Sequence, residues 1–140
     1  LDHHGDYMHI GDTFHRLYSL LHLRGHTDAR QLRSFGIYHH DPLVTPKDAL
    51  YAQAAVALTL PKAASPLTAT TIAAGRYAVM RHQGPYAELE RAYHWFYHDW
   101  LLASPYQIAD RPLVEEYLND VQTTAPGDLL TDIYIPLAQA

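Results

Sequence analysis

The sequence predicts an α+β fold made from two copies of one β-α-β-β unit, forming an antiparallel sheet with helices on one face and a ligand groove at the junction. Three observations predict it. The chain resembles itself at an offset of 79 residues, since Gly5 to Gly84 is 84 − 5 = 79 and Tyr7 to Tyr86 is 86 − 7 = 79. Apolar residues recur at helical spacing after each of those Gly–Tyr turns. Short apolar runs then end in Asp-containing turns, as strands do.

Size and composition bound the reading. A chain of 140 residues can bury a hydrophobic core, and 48% hydrophobic with 18% charged residues is ordinary for a globular domain. It has no cysteine, which removes disulfides, zinc–thiolate sites and thiol nucleophiles. Its net charge is −5 with histidines neutral, and its ten Lys and Arg residues are scattered. A surface that grips DNA shows a basic patch, so DNA contact is not expected from this chain itself. No apolar run approaches the roughly 20 residues of a membrane span. A cytoplasmic location without membrane contact is therefore the expectation. Leu1 is not an initiator Met and no signal peptide is visible there, so the chain reads as a piece of something longer.

The elements follow in order. In the first copy the offset places most of the leading strand upstream of Leu1. The helix carries Ile10, Phe14, Leu17 and Leu21 on one face. A strand over Phe35–Asp41 follows, then a polar connection with Thr45-Pro46, then a strand over Tyr51–Leu60. Repeat one therefore spans 1–60, a Pro-, Ser- and Thr-rich linker 61–71, and repeat two 72–140. In repeat two the leading strand is Ile72–Arg81, and the helical face is Leu89, Tyr93, Phe96 and Trp100. A strand over Val114–Asp120 and a last strand over Leu130–Leu137 complete it. Strand alternation puts Glu115 and Tyr117 on one face and Val114 and Glu116 on the other. Likewise Ile133, Ile135 and Leu137 share a face, with Asp132 and Tyr134 opposite.

Gly84-Pro85-Tyr86 with Leu89, Ala92-Tyr93 and Trp95 resembles the second repeat of the DNA gyrase-inhibitor-like (GyrI-like) family. So does Glu115-Glu116-Tyr117-Leu118-Asn119-Asp120 followed by Thr131-Asp132-Ile133-Tyr134-Ile135-Pro136-Leu137. His4-Gly5-Asp6-Tyr7 and Tyr38-His39-His40-Asp41-Pro42 with Thr45-Pro46 resemble the first repeat. The resemblance covers almost the whole chain. It implies a tandem pair of SHS2-like modules that holds a small molecule, alone or behind a DNA-binding domain of AraC or MerR type. In such relatives an acidic groove residue meets cationic aromatic drugs, and the matching position is Glu115. Asp132 stands where the family pattern has Glu.

A carboxylate in an apolar groove resists ionisation, and a cationic ligand between aromatic walls compensates it. Glu115 is thus the leading ligand-binding residue, against the alternative of an exposed edge-strand Glu. It aligns with Gly36 (115 − 36 = 79), so the acidic side belongs to the second copy. Tyr7, Tyr38, Tyr86, Trp95, Tyr117 and Tyr134 are the aromatic candidates, with core packing as the competing account. Trp95 lies off the core-facing stripe, which suits a groove or partner contact. The His22/His26 and His94/His98 pairs are four apart but lack a third ligand, so no metal and no cofactor is expected. The expected function is the effector- or drug-sensing domain of a bacterial transcription regulator, binding a small aromatic and cationic or amphipathic molecule. DNA would be met only through a domain upstream of Leu1, and the oligomeric state is left open, a homodimer included. The alternatives are a stand-alone hydrolase of cyclopropane-bearing electrophiles, with Glu115 as general base and Tyr117 assisting, or a DNA gyrase inhibitor.

Overall fold

The computed structural model describes residues 1–59 and 64–138. It is a mixed helix and antiparallel-sheet protein, and its contacts divide it into two compact units, Leu1–Ala73 and Ala74–Ala140.

The first unit holds β1 (Asp2–His4), helix α1 (Ile10–Leu23), β2 (Ser34–Tyr38) and β3 (Tyr51–Val56). β3 lies between the other two strands and pairs antiparallel with both. The pleat turns His3, Gly36, Tyr38, Ala52 and Ala54 to one face, because His3 opposes Ala52, Tyr38 opposes Ala52 and Gly36 opposes Ala54. That face carries α1, since His3 Nδ1 lies 2.7 Å from the Thr13 hydroxyl of the helix. Phe14, Leu17 and Leu21 are buried, so the predicted helical stripe is the one that packs.

The second unit holds β4 (Tyr77–Gln83), α2 (Leu89–Trp95), β5 (Leu113–Tyr117) and β6 (Leu130–Pro136). β6 is the central strand, antiparallel to β4 and β5. α2 runs straight on into a π-helical segment, Phe96–Leu101. Its Phe96 packs with Ile133 and Ile135 of β6, and Tyr93, Trp100 and Leu113 close around them.

The offset of 79 reappears as hydrogen bonds. The Gly5 amide donates to the Leu50 carbonyl at 2.8 Å, and the Gly84 amide to the Leu129 carbonyl at 2.8 Å. His40 Nδ1 accepts from the Tyr51 amide at 3.1 Å, and Asn119 Oδ1 from the Leu130 amide at 3.0 Å. Asp41 and Asp120 each accept from the amide two residues on. Gly5 and Gly84 have φ of 101° and 137°, conformations an L side chain rarely adopts.

The boundaries differ from the sequence expectations at several places, and β2 and β5 end at Tyr38 and Tyr117, before the expected Asp41 and Asp120. The leading strand of the second copy starts at Tyr77, not Ile72, because the preceding stretch is tied down as a loop. Gly75 has φ 151°, and Arg111 Nη1 donates to the Ala74 carbonyl at 3.1 Å. The strand then runs to Gln83, past the expected end at Arg81. β3 ends at Val56, short of the expected Leu60, which lies outside the described residues together with the linker positions 61–63. In the first copy, β1 occupies the positions that match Arg81–Gln83, so the last part of that leading strand is within the chain.

Candidate functional site

Glu115 sits mid-strand in β5 opposite Ile133 and is 6% exposed. Alternation along β5 aims Leu113, Glu115 and Tyr117 to the side of Ile133 and Ile135, which is the helix-covered face. The residues above it determine its state. Tyr117, two residues on, donates its hydroxyl to Oε1 at 2.8 Å. Tyr93, reaching down from α2, donates its hydroxyl to Oε2 in a very short hydrogen bond. Each carboxylate oxygen thus accepts from a phenol. Tyr86, in the turn after β4, packs edge-on against Tyr117 with ring centroids 5.4 Å apart. Taking a carboxylate out of water is costly unless donors replace the lost solvent, and these hydroxyls are such donors. The result is an acidic group in an aromatic cage of Tyr86, Tyr93 and Tyr117.

The other expected site residues fall elsewhere. Tyr134 points to the face opposite Glu115, as strand alternation requires. Its hydroxyl donates to Glu116 Oε1 at 3.2 Å, and its ring meets Tyr77 at 6.4 Å. Asp132 is on that face too and is held by Arg81 through a fork, Nε to Oδ1 at 2.8 Å and Nη2 to Oδ2 at 3.0 Å. Asp132 therefore has an ion-pair role within the sheet. Tyr7 and Tyr38 meet each other in the first unit, edge to face at 4.9 Å. The Tyr7 oxygen lies 2.9 Å from the carbonyls of both His40 and Tyr51 and accepts from the His40 amide at 3.1 Å. It fastens the β2–β3 connection, and burial raises its hydroxyl's pKa above the usual value. Trp95 is 50% exposed on α2, two residues from Tyr93 and so on a different face of the helix.

Sequence reasoning placed Tyr93 in the helical stripe and in the family motif, but not among the site residues. One signal was available. Tyr93 matches Phe14 and Glu115 matches Gly36, both at 79. The second copy has therefore gained a hydroxyl and a carboxylate at two matched positions, and the structure joins that pair. Among the described residues no group of three or more His, Asp or Glu side chains is arranged to hold a metal ion.

The profile of the GyrI-like small molecule binding domain matches residues 1–138. The chain belongs to this family. The GyrI-like domain is 27% identical over 109 residues to a DNA gyrase inhibitor of Erwinia billingiae (strain Eb661), covering 75% of this chain and 69% of the relative. It is 28% identical over 116 residues to a probable transcriptional regulator, YgiV, of Escherichia coli (strain K12), covering 81% of this chain and 72% of the relative. Its fold matches a chain in the cryo-EM structure of an EcmrR–DNA complex in EcmrR-RPo, with a TM-score of 0.71 at 17% identity. That match covers 98% of the GyrI-like domain and 51% of the solved chain, so the domain spans about half of it. No helix among the described residues is long and apolar enough to cross a membrane.

Proposed function

We propose that this GyrI-like domain binds a small aromatic cation at Glu115 and serves as the effector-sensing part of a bacterial transcription regulator. The observation that carries the reading is the buried carboxylate whose two oxygens are held by the Tyr93 and Tyr117 hydroxyls. A phenol is a replaceable donor. A cation that takes the place of one hydroxyl gains a nearly full Coulombic partner in a site of low dielectric, where charge pairing is worth more than in water. The rings of Tyr86, Tyr93 and Tyr117 add cation–π attraction of about 0.5–2 kcal/mol per good contact. A neutral ligand of the same shape gains the ring contacts alone. The same arrangement disfavours an anion, which would meet a carboxylate.

The regulatory half of the proposal is supported by the family, by a relative named as a probable transcriptional regulator, and by the fold shared with half of a DNA-bound chain. In this reading the two 79-offset halves are tandem SHS2-like modules, and DNA is met by a separate domain. Titration calorimetry with 10-methylacridinium and with neutral acridine tests the binding half. The cation is expected to bind about tenfold more tightly than the neutral analogue, and Glu115→Gln to erase the difference. Equal affinity for the two in the wild-type chain would falsify the charge-pairing account.

A further inference from the structure

We propose that the domain carries a second ligand site on the outer face of its second helix, a shelf for a flat organic cation built by Trp95, Asp99, Trp100 and Tyr106. The shelf is a surface depression of about 500 Å³, and Pro105 also lines it. That volume lies in the range of small-molecule sites, about 300–1,000 Å³. Both tryptophans of the chain line it.

The backbone explains how they meet. Trp95 and Trp100 are five residues apart, and an α-helix of about 3.6 residues per turn would turn them to different faces. The π-helical segment Phe96–Leu101 replaces the i→i+4 spacing by i→i+5, which widens the turn and brings residues five apart nearer to one face. Asp99 lies four from Trp95 on the same wide turn. Trp100 is not free to move, because its ring is stacked on Phe96 at 5.1 Å on the core side and runs parallel to Tyr106 at 5.9 Å and 4°. Trp95 is the more exposed wall, at 50%.

The chemistry of the lining selects the occupant. It is apolar and aromatic, and Asp99 is the one charged side chain in it. Indole faces attract cations through their quadrupole, and Trp is the strongest of the aromatic residues in this respect. An adjoining depression of about 440 Å³ shares Trp95 and Asp99 and adds Glu90, Arg91 and His94, so Asp99 is the acidic side chain common to both. An anion gains little on this shelf, while a planar cation meets π-faces and a carboxylate together. The site is distinct from Glu115, because Trp95 and Tyr93 leave the helix in different directions.

Indole Nε1–H resonances followed by NMR report this site without labels elsewhere. N-methylisoquinolinium is the probe, and isoquinoline in its neutral form is the control. Saturable shifts of both indoles are expected, with the cation bound about fivefold more tightly than isoquinoline. Asp99→Asn, an exposed substitution that leaves the core intact, is expected to reduce the cation's affinity about threefold and leave isoquinoline unchanged. In Glu115→Gln the indole shifts should persist, so failure of one site is read separately from failure of the other. Shifts that never saturate, or equal affinity for cation and neutral probe, or an Asp99→Asn protein with unchanged cation affinity, would each overturn the proposal.

Discussion

At the scale of single residues, the informative contrast is between matched positions of the two halves. Phe14 and Gly36 in the first become Tyr93 and Glu115 in the second, and the gained hydroxyl donates to the gained carboxylate. A hydrogen bond to a charged group contributes about 1.5–3 kcal/mol. Tyr93→Phe should therefore lower the unfolding free energy by that amount in urea denaturation. In Glu115→Gln the same Phe substitution should cost much less, giving a coupling energy of about 0.5–3 kcal/mol in the double-mutant cycle. Additive effects would mean that the two groups do not stabilise each other.

The first half has its own charged contact, with a pH signature. The Tyr51 hydroxyl donates to Asp2 Oδ1 at 2.7 Å, and Tyr51 is flanked by His4 at 5.1 Å and His39 at 4.7 Å. Burial, and then the Asp2 hydrogen bond, push the Tyr51 hydroxyl up to about 12 from an ordinary 10.0. The hydroxyl's bond, with help from Gln53, holds the Asp2 carboxyl below its ordinary 3.8. The signs follow by linkage. Tyr51 contributes stability that is present below pH 10 and is lost as pH rises toward about 12. Asp2 contributes stability that is present above pH 3.8 and is lost as pH falls through its lower folded value. Asp2→Asn should bring the Tyr51 titration back toward 10.0, visible as phenolate absorbance, and flatten the acid limb of the stability curve. An unchanged Tyr51 titration would contradict the assignment.

At the scale of elements, the turns and helix stripes were legible because their causes are local. A Gly with positive φ, an Asp that caps its own turn and an apolar repeat at three and four residues each leave a mark in sequence. The two Gly turns show this directly. A Cβ on Gly84, at φ 137°, would meet Glu88 Oε2 at 3.0 Å, whereas a Cβ on helical Gly11 meets nothing within 4 Å. Gly84→Ala should destabilise by about 1 kcal/mol or more, and Gly11→Ala should stabilise by about 0.5–1 kcal/mol, read as opposite shifts in thermal midpoint. Midpoints moving the same way would contradict this account of the turns. Two element-level features were not legible. The late start of β4 depends on Arg111, which binds the Ala74 carbonyl from 37 residues away. The π-helical Phe96–Leu101 is a choice of hydrogen-bond register that the apolar stripe cannot reveal, since Phe96 and Trp100 fit either spacing.

At the scale of the whole molecule, the α+β order of strand, helix, strand, strand was readable in both halves. The candidate site was readable only in part. Alternation put Glu115 with Tyr117 and against Glu116, and the apolar Ile133–Ile135 face beneath the helix, but without the β5–β6 register it cannot say which Glu shares that side. The helix lies on the Glu115 side, so Tyr134 falls away to Glu116 and Tyr93 comes in from above. What was one list of aromatic residues is thus four places: the Tyr7–Tyr38 pair in the first half, and in the second a cage at Glu115, a polar ladder at Glu116 and Asp132, and an aromatic shelf at Trp95. Sequence spacing does not separate them, because each place draws on residues from different elements.

The measurement that bears most directly on the central claim is a crystal structure of the domain with 10-methylacridinium. The account predicts the dye beside Glu115, its ring nitrogen within cation-pairing distance of the carboxylate, and either the Tyr93 or the Tyr117 hydroxyl displaced from its oxygen. A complex with both tyrosine–Glu115 hydrogen bonds intact and no dye at that carboxylate would contradict it.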